Sequence, residues 1–409
     1  MRILIHGVNF SPELTGIGKY SGEMAAWLAQ RGHEVRVVTA PPYYPDWRVG
    51  DGYSGVAYRT EKWQGVLVYR CPLWVPARPG GLTRLMHLMS FAVASLPVML
   101  RQIFWRPDVV WVVAPALFCA PAAWAVARLS GAKAWLHIQD FELDAAFELG
   151  LLRGKGLRRV VAAGERWLMR RFDVVSTISE KMLALAGGKG VAPGNAVLFP
   201  NWVDVSAITP LSRASPFRAE LGLAQDAVVV LYSGNMGRKQ GLELLPQVAA
   251  MLVDRPDIQF VFCGNGAGKA DLVQSCEGLP NVRFLDLQPI GRLNDLLGFA
   301  DIHLLPQRAG AADLVMPSKL TGMLASARAI LATASPETQL AYALEGCGLV
   351  VPSESPEMMA EGLRRLADDA PLRERLGKAA RFYAEQHLDK EQVLMRLMEK
   401  LQLVCDGGN

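Results

Sequence analysis

The sequence predicts an α/β protein made of two doubly wound domains, each a parallel sheet flanked by helices. Three observations carry this. Short apolar, β-branched runs alternate with stretches of helical periodicity, which is the pattern of βα units. The rhythm begins at the first residue, breaks over the polar, proline-bearing stretch Thr209 to Pro216, and begins again. The chain has 409 residues, more than one core ordinarily holds, so two or three domains is the natural division.

Composition narrows the functional classes. Hydrophobic residues make up 51% and charged residues 20%, as in a globular protein on the apolar side. A formal net charge of +4 is too small to argue for nucleic acid as a partner. The six cysteines are scattered, with neither metal-ligand spacing nor a disulfide framework. Cys263 follows Phe260-Val261-Phe262 and reads as a buried thiol, in keeping with a reducing compartment. The opening Met1-Arg2-Ile3-Leu4-Ile5-His6-Gly7 is too short for a secretory apolar region and reads as a first strand.

The first domain is placed at residues 1–205. After the strand Ile3 to Ile5 comes a long loop, then a helix from about Ser21 to Arg31, ended by Gly32, then the strand Glu34 to Thr39. Gly16 and Gly18 fall just before that helix, at the carboxyl end of the first strand, where doubly wound sheets bind ligands. Ala40 to Gly65 is expected to be irregular; prolines 41, 42 and 45 bar regular structure there. Tyr43 and Tyr44 on this stiff loop suit a sugar or acceptor face, or else pack the loop down. Val109 to Val113, Ala132 to Gln139 and Val174 to Thr177 read as further strands. Helices from about Phe118 to Ser130 and Leu157 to Arg171 lie between them. Asp140 ends one strand and is a site candidate, whereas Glu142 and Asp144 read as acidic residues at a helix start. His137 reads as a structural strand residue.

Leu82 to Trp105 needs separate weighing. Its uncharged run from Leu88 to Leu100 is shorter than the ~20 residues that span a bilayer. Arg84, His87, Arg101 and Arg106 flank it, with Trp105 at one end. This pattern fits a domain helix, about 82–105, whose outer part touches a membrane surface.

The second domain, 216–386, holds the two most informative stretches. Ala227 to Tyr232 reads as a buried strand and runs into Ser233-Gly234-Asn235-Met236-Gly237-Arg238-Lys239-Gln240-Gly241, then a helix from Leu242. A strand turning through glycines into a helix leaves free N–H groups that favour an anion, and Arg238 and Lys239 add cationic donors. Gly264-Asn265-Gly266 closes the strand Ile258–Gly264 in a turn. After the strand Ile302–Leu305, a small-residue loop holding Asp313 leads to Pro317-Ser318-Lys319, a second candidate anion site at a helix start. Two such sites on one sheet edge fit a nucleotide diphosphate. From Pro356 the chain reads as helical, with a last helix within 387–409.

Together these stretches resemble the family 4 glycosyltransferases, whose GT-B fold sets two Rossmann-like domains facing across a cleft. The carrying residues are Asn9 to Tyr20, Ala40 to Pro45, Leu136-His137-Ile138-Gln139-Asp140, Phe199-Pro200-Asn201-Trp202, Gly234 to Gly241 and Met316-Pro317-Ser318-Lys319. The exopolysaccharide branch is the most similar. The resemblance implies a retaining transferase that moves a sugar from a nucleotide-diphosphate donor to a lipid-linked glycan acceptor. It implies work at the cytoplasmic face of the inner membrane, peripherally bound, with no metal cofactor. A GDP-sugar, GDP-fucose in particular, is the donor it points to, and the last helix is expected to cross back to the first domain.

On this reading the donor is held by Gly16, Gly18, Gly234, Asn235, Arg238, Lys239, Asn265, Asp313, Pro317, Ser318 and Lys319. Tyr43 and Tyr44 face the acceptor, and Asp140, Arg238 and Lys239 serve the chemistry. Asn235 and Gln240 stand where the wider family has Arg and Lys, so Arg238 and Lys239 take over that charge. The family's second-loop glutamates fall near Leu314 and Gly322, which leaves Asp313 as the substitute, and Gln139 stands at the family's histidine. The competing readings are a nucleotide-sugar epimerase on the same fold and a non-catalytic nucleotide-sugar-binding subunit.

Overall fold

A computed structural model describes residues 1–13, 16–77, 80–114, 118–141, 155–237, 240–308 and 317–407. The chain forms two compact units, one of Met1–Pro200 with Leu394–Asn409, the other of Asn201–Val393.

The first unit is built on an eight-stranded sheet in the order β3-β4-β2-β1-β5-β6-β7-β8. The strands are β1 Arg2–His6, β2 Glu34–Thr39, β3 Arg59–Trp63, β4 Val66–Arg70, β5 Val109–Ala114, β6 Lys133–Ile138, β7 Val174–Thr177 and β8 Ala196–Leu198. All neighbours are parallel except β3 and β4. Every residue of β5 is buried, so both faces of the sheet are covered. Trp111 and Trp135 are register partners on β5 and β6, and their rings stack with centroids 4.9 Å apart. The Trp135 indole N–H donates to Ser176 Oγ at 2.8 Å, which satisfies its polar edge inside the core. Helices α1 (Gly16–Gln30), α2 (Gly81–Gln102), α3 (Ala120–Ser130), α4 (Lys155–Met169) and α5 (Glu180–Gly188) connect the strands.

The second unit has a six-stranded parallel sheet in the order β11-β10-β9-β12-β13-β14. Its strands are β9 Val228–Ser233, β10 Ile258–Cys263, β11 Val282–Leu285, β12 Ile302–Leu305, β13 Ala329–Thr333 and β14 Leu349–Val351. Chain order runs outward from β9 in one direction, then restarts at β12 and runs the other way. A crevice at the carboxyl ends of β9 and β12 follows from that reversal. Tyr232 of β9 pairs in register with Phe262 of β10, and both rings are fully buried. Cys263 ends β10 as a buried free thiol; its Sγ donates to the Asp286 carbonyl at 3.2 Å and burial pushes its pKa up to about 11.

Two expectations need correction. The stretch from Ala40 to Gly65 is not irregular throughout, because β3 forms a hairpin with β4. Gln64 and Gly65 both have positive φ, 44° and 83°, as a two-residue hairpin turn of the right hand requires. The strand escaped notice because it reads Arg-Thr-Glu-Lys-Trp: it is a charged edge strand, and charge there discourages pairing with other chains. Helix α1 also begins at Gly16, not near Ser21, so Gly16 and Gly18 lie inside its first turn.

Arg70, at the end of β4, is the buried polar tie of this region. Its Nε donates to Glu61 Oε1 at 2.9 Å, and its two terminal nitrogens donate to the Ala40 and Ser11 carbonyls. Removing one partner of a buried pair leaves the other charge uncompensated. Arg70→Met is therefore expected to destabilise the first unit by about 3 kcal/mol, read as a lower urea midpoint by tryptophan fluorescence. A midpoint unchanged from wild type would contradict this.

Candidate active site

Of the sequence-predicted donor residues, Gly234, Asn235, Asn265, Pro317, Ser318 and Lys319 lie at the crevice predicted by strand order in the second unit. β9 ends at Ser233, and Gly234 follows with φ of 134°, a backbone state that side chains rarely adopt. Gly264, at the end of β10, lies back to back with it. A Cβ on Gly264 would sit 1.9 Å from the Gly234 carbonyl oxygen, so the two turns touch through bare backbone. The Met236 N–H donates to the Asn265 carbonyl at 2.8 Å, which ties the turn after β9 to the turn after β10. Tyr232 Oη donates to the Asn235 carbonyl at 2.7 Å, and burial raises its pKa, so the phenol stays a neutral donor. Asn235 itself is exposed at this edge.

Lys319 comes into the same place from the loop after β12. It is the first residue of α6 (Lys319–Ala325), with Pro317 and Ser318 just before it. Ser318 stands at the N-cap position, but its side chain makes no capping bond. The Lys319 stem passes Gly234, where a Cβ would lie 3.4 Å from Cδ. The ammonium stands 4.0 Å from the centre of the Tyr232 ring. The residue as a whole is half-buried, but Nζ is closed off from solvent and has no hydrogen-bond partner among the described residues. Desolvation, with no compensating anion among the described residues, pulls its pKa from 10.5 down to about 7.

Two neighbours on this edge were not singled out from sequence. Arg308, on the loop after β12, pairs with Glu243 at 2.7 Å, and its backbone lies against Gly241. Thr333, ending β13, holds that loop: its Oγ1 accepts from Gln307 N at 2.8 Å and donates to Gln307 O at 3.0 Å. The sequence signal for both was their place just past a strand's carboxyl end. Arg238, Lys239 and Asp313 lie outside the described residues, as do Glu142 and Asp144.

The first unit gathers Gly18, Tyr43 and Tyr44 around a residue the sequence reading passed over, Glu13. Gly16 has φ of 61° with open space beside it. Gly18 is different: a Cβ there would lie 2.5 Å from Glu13 Oε2, so the room left by the missing side chain is filled by this carboxylate. The Tyr43 ring is 7% exposed and lies against Trp47 and His87, with centroids 5.6 and 4.6 Å away, so it packs the loop down. Tyr44 is half-buried. Asp140 lies two residues past the end of β6 and is half-buried. His137 is a buried strand residue whose Nδ1 meets Ser176 Oγ at 2.9 Å and whose Nε2 meets the Gln139 amide at 2.9 Å.

Lys319 gives a test with a defined sign. Its folded pKa lies below its unfolded value, so the burial penalty is fully present below about pH 7 and is relieved as pH rises toward 10.5. Lys319→Met removes the charge. The variant is expected to melt higher than wild type at pH 6 to 7, with the gap closing by about pH 10. A gap independent of pH would contradict an unpaired, desolvated ammonium.

The chain matches two family models, "Glycosyl transferase 4-like domain" over residues 15–202 and "Glycosyl transferases group 1" over residues 215–382. It is 45% identical to a protein of Escherichia coli (strain K12) assigned to colanic acid biosynthesis as glycosyl transferase WcaI, over 98% of this chain and 100% of that one. Among solved structures it is similar to sucrose-phosphate synthase of Thermosynechococcus elongatus, with TM-score 0.77, 17% identity and full coverage of both chains. It is also similar to Anabaena HepE, solved in complex with UDP and glucose, with TM-score 0.69, 16% identity, 98% of this chain and 99% of that one. With two parallel-sheet α/β units and these matches, the chain belongs to the family 4 glycosyltransferases of the GT-B fold and is a glycosyltransferase.

Proposed function

We propose that this glycosyltransferase moves a sugar from a nucleotide-diphosphate donor, a GDP-sugar such as GDP-fucose, to a lipid-linked glycan acceptor in colanic-acid-type exopolysaccharide synthesis. The transfer retains the configuration at the sugar carbon. The observation that carries the donor half is the enclosed Lys319 ammonium beside Gly234, which has no counter-charge among the described residues. A diphosphate supplies the missing charge, and the side-chain-free backbone at Gly234 lets it approach. The name of the E. coli relative and the ligands of the Anabaena structure support the pathway and the nucleotide sugar respectively.

In this mechanism Lys319, with Arg238 and Lys239, stabilises the charge that grows on the departing diphosphate. An oxocarbenium-like sugar then takes the acceptor hydroxyl on the face the diphosphate leaves, and the hydroxyl proton passes to a phosphate oxygen. Asn235, Asn265, Pro317 and Ser318 shape the donor pocket, and Asp313 meets the ribose. Gly16 offers an open glycine to the donor, Tyr44 serves the acceptor side, and Asp140 serves the chemistry. Cationic side chains do the work a metal ion does elsewhere, so the reaction is read as metal-independent.

The acceptor's lipid is read from α2. Leu82, Met86, Met89, Val93, Leu96 and Leu100 are all exposed, and their spacing of three and four residues puts them on one stripe. Phe104, 90% exposed, extends that stripe beyond the helix end. His87, Leu88, Phe91, Ser95 and Met99 are buried on the other side. Leu82–Trp105 is long and apolar enough to cross a membrane by length and composition, with a third of its most apolar 18-residue stretch buried. We read the stripe as lying on the cytoplasmic membrane surface, which keeps the enzyme beside its lipid-linked acceptor.

Incubation with labelled nucleotide sugars and membrane lipid extract is expected to give label in lipid, undiminished by EDTA. Lys319→Met is expected to lower kcat/KM by about 10²- to 10³-fold. An interconverted donor without transfer, or binding without turnover, would overturn the reading in favour of an epimerase or a binding subunit. In flotation assays the wild type is expected to rise with anionic vesicles, and Val93→Glu with Leu96→Glu to remain at the bottom. Equal flotation of both would remove α2 as the contact.

A further inference from the structure

Two loops leave the carboxyl ends of the neighbouring strands β1 and β2: the loop that runs from His6 into α1, and the proline loop after Thr39. A single carboxylate joins them. Glu13 Oε1 accepts from the backbone N–H groups of Tyr43 and Tyr44, each at 3.1 Å. Glu13 Oε2 accepts from Asn9 Nδ2 at 2.9 Å and lies against Gly18 in the first turn of α1. The residue is 5% exposed. Ser11 is set against the same helix one turn on: a Cβ at Gly22 would lie 1.9 Å from its Oγ. Thus Gly18 and Gly22 form a notch that admits the 11–13 segment.

Strand pairing does not by itself call for an acid here, and Arg70, whose charge also acts on Glu13, is already paired with Glu61. The strands are already paired, and Arg70 already ties Ser11 to Ala40 through their carbonyls. What Glu13 adds is a grip on two consecutive amides of the proline loop. Those amides belong to Tyr43, whose ring packs the loop down, and to the half-buried Tyr44, read as facing the acceptor. Three N–H donors converge on it, and a carboxylate, which accepts at both oxygens, is the side chain that satisfies all three.

We propose that Glu13 is a positioning residue that fixes Tyr43 and Tyr44 relative to the first turn of α1, so that the loops after β1 and β2 act as one acceptor-side surface. The acceptor part rests on the function proposed above; the loop coupling does not. Glutamine at this position keeps one accepting oxygen for both amides and, with the Asn9 amide reversed, the third bond as well. Alanine keeps none.

The test has two arms on the full chain. In hydrogen exchange, the Tyr43 and Tyr44 amides of Glu13→Ala are expected to exchange at least about tenfold faster than wild type, since bonds to a charged acceptor are among the stronger ones. Glu13→Gln is expected to stay within about threefold. In kinetics with lipid-extract acceptor, Glu13→Ala is expected to raise the acceptor KM about tenfold or more, with Glu13→Gln restoring it and the Kd for a free nucleoside diphosphate unchanged in both. If Glu13→Ala does not fold, Asn9→Ala removes one bond only and is expected to shift both readouts in the same direction by a smaller factor. Unchanged exchange at the two amides would overturn the coupling. Faster exchange with an unchanged acceptor KM would overturn the positioning role. If wild type transfers to no lipid, the acceptor half falls with the proposed function and the exchange arm still decides the coupling.

Discussion

A cation enclosed without an anion among the described residues is the constraint on which the second unit turns. Water solvates an ammonium strongly, and a folded chain rarely gives that up without a partner. Lys319 does so with the π face of Tyr232 as its near neighbour, and that interaction offsets desolvation only in part. The surroundings are arranged for this. Tyr232 is held by its bond to the Asn235 carbonyl, and Gly234 leaves the lysine stem room to pass. We read a positive charge at a strand-order reversal, uncompensated among the described residues, as prepared for an anionic ligand. On that reading the arrival of a diphosphate converts the penalty into attraction.

The sheet explains why these residues meet. Lys319 and Gly234 are far apart in sequence, yet β9 and β12 are direct neighbours, and the segments after them leave the same edge. The first unit uses the same logic with a different outcome. Its strands β4-β2-β1-β5-β6-β7 run in the corresponding order. There the notch at the start of α1 is filled by the chain's own carboxylate, and Arg70 with Glu61 braces the loops from below. One unit thus presents bare charge, while the other has spent its charge on loop geometry.

Much of this was legible in the residues. Val228 to Ser233 could be read as a buried strand because its apolar run is short and β-branched, and the glycine after it marked the turn. Lys319 was found because a cation beside a helix start past a strand end is a position with a physical meaning. Glu13 was not found. It sits in Ser-Pro-Glu-Leu-Thr, which reads as a solvated loop, and its burial depends on amides about thirty positions away. Tyr232 was read only as a strand residue, since nothing in a strand pattern tells that a ring will lie under an ammonium. The hairpin of β3 and β4 was missed because an edge strand made of charges carries no apolar alternation.

The central claim is that Lys319, which has no anionic partner among the described residues, is held ready for phosphate. The most direct measurement is its own titration, by NMR of ¹⁵N-labelled lysine side chains assigned through Lys319→Met, with and without a nucleoside diphosphate. The account predicts a pKa of about 7 in the free protein and a rise of at least about two units with the diphosphate bound. A free-protein pKa near 10.5, or a depressed value that the ligand leaves unmoved, would contradict it.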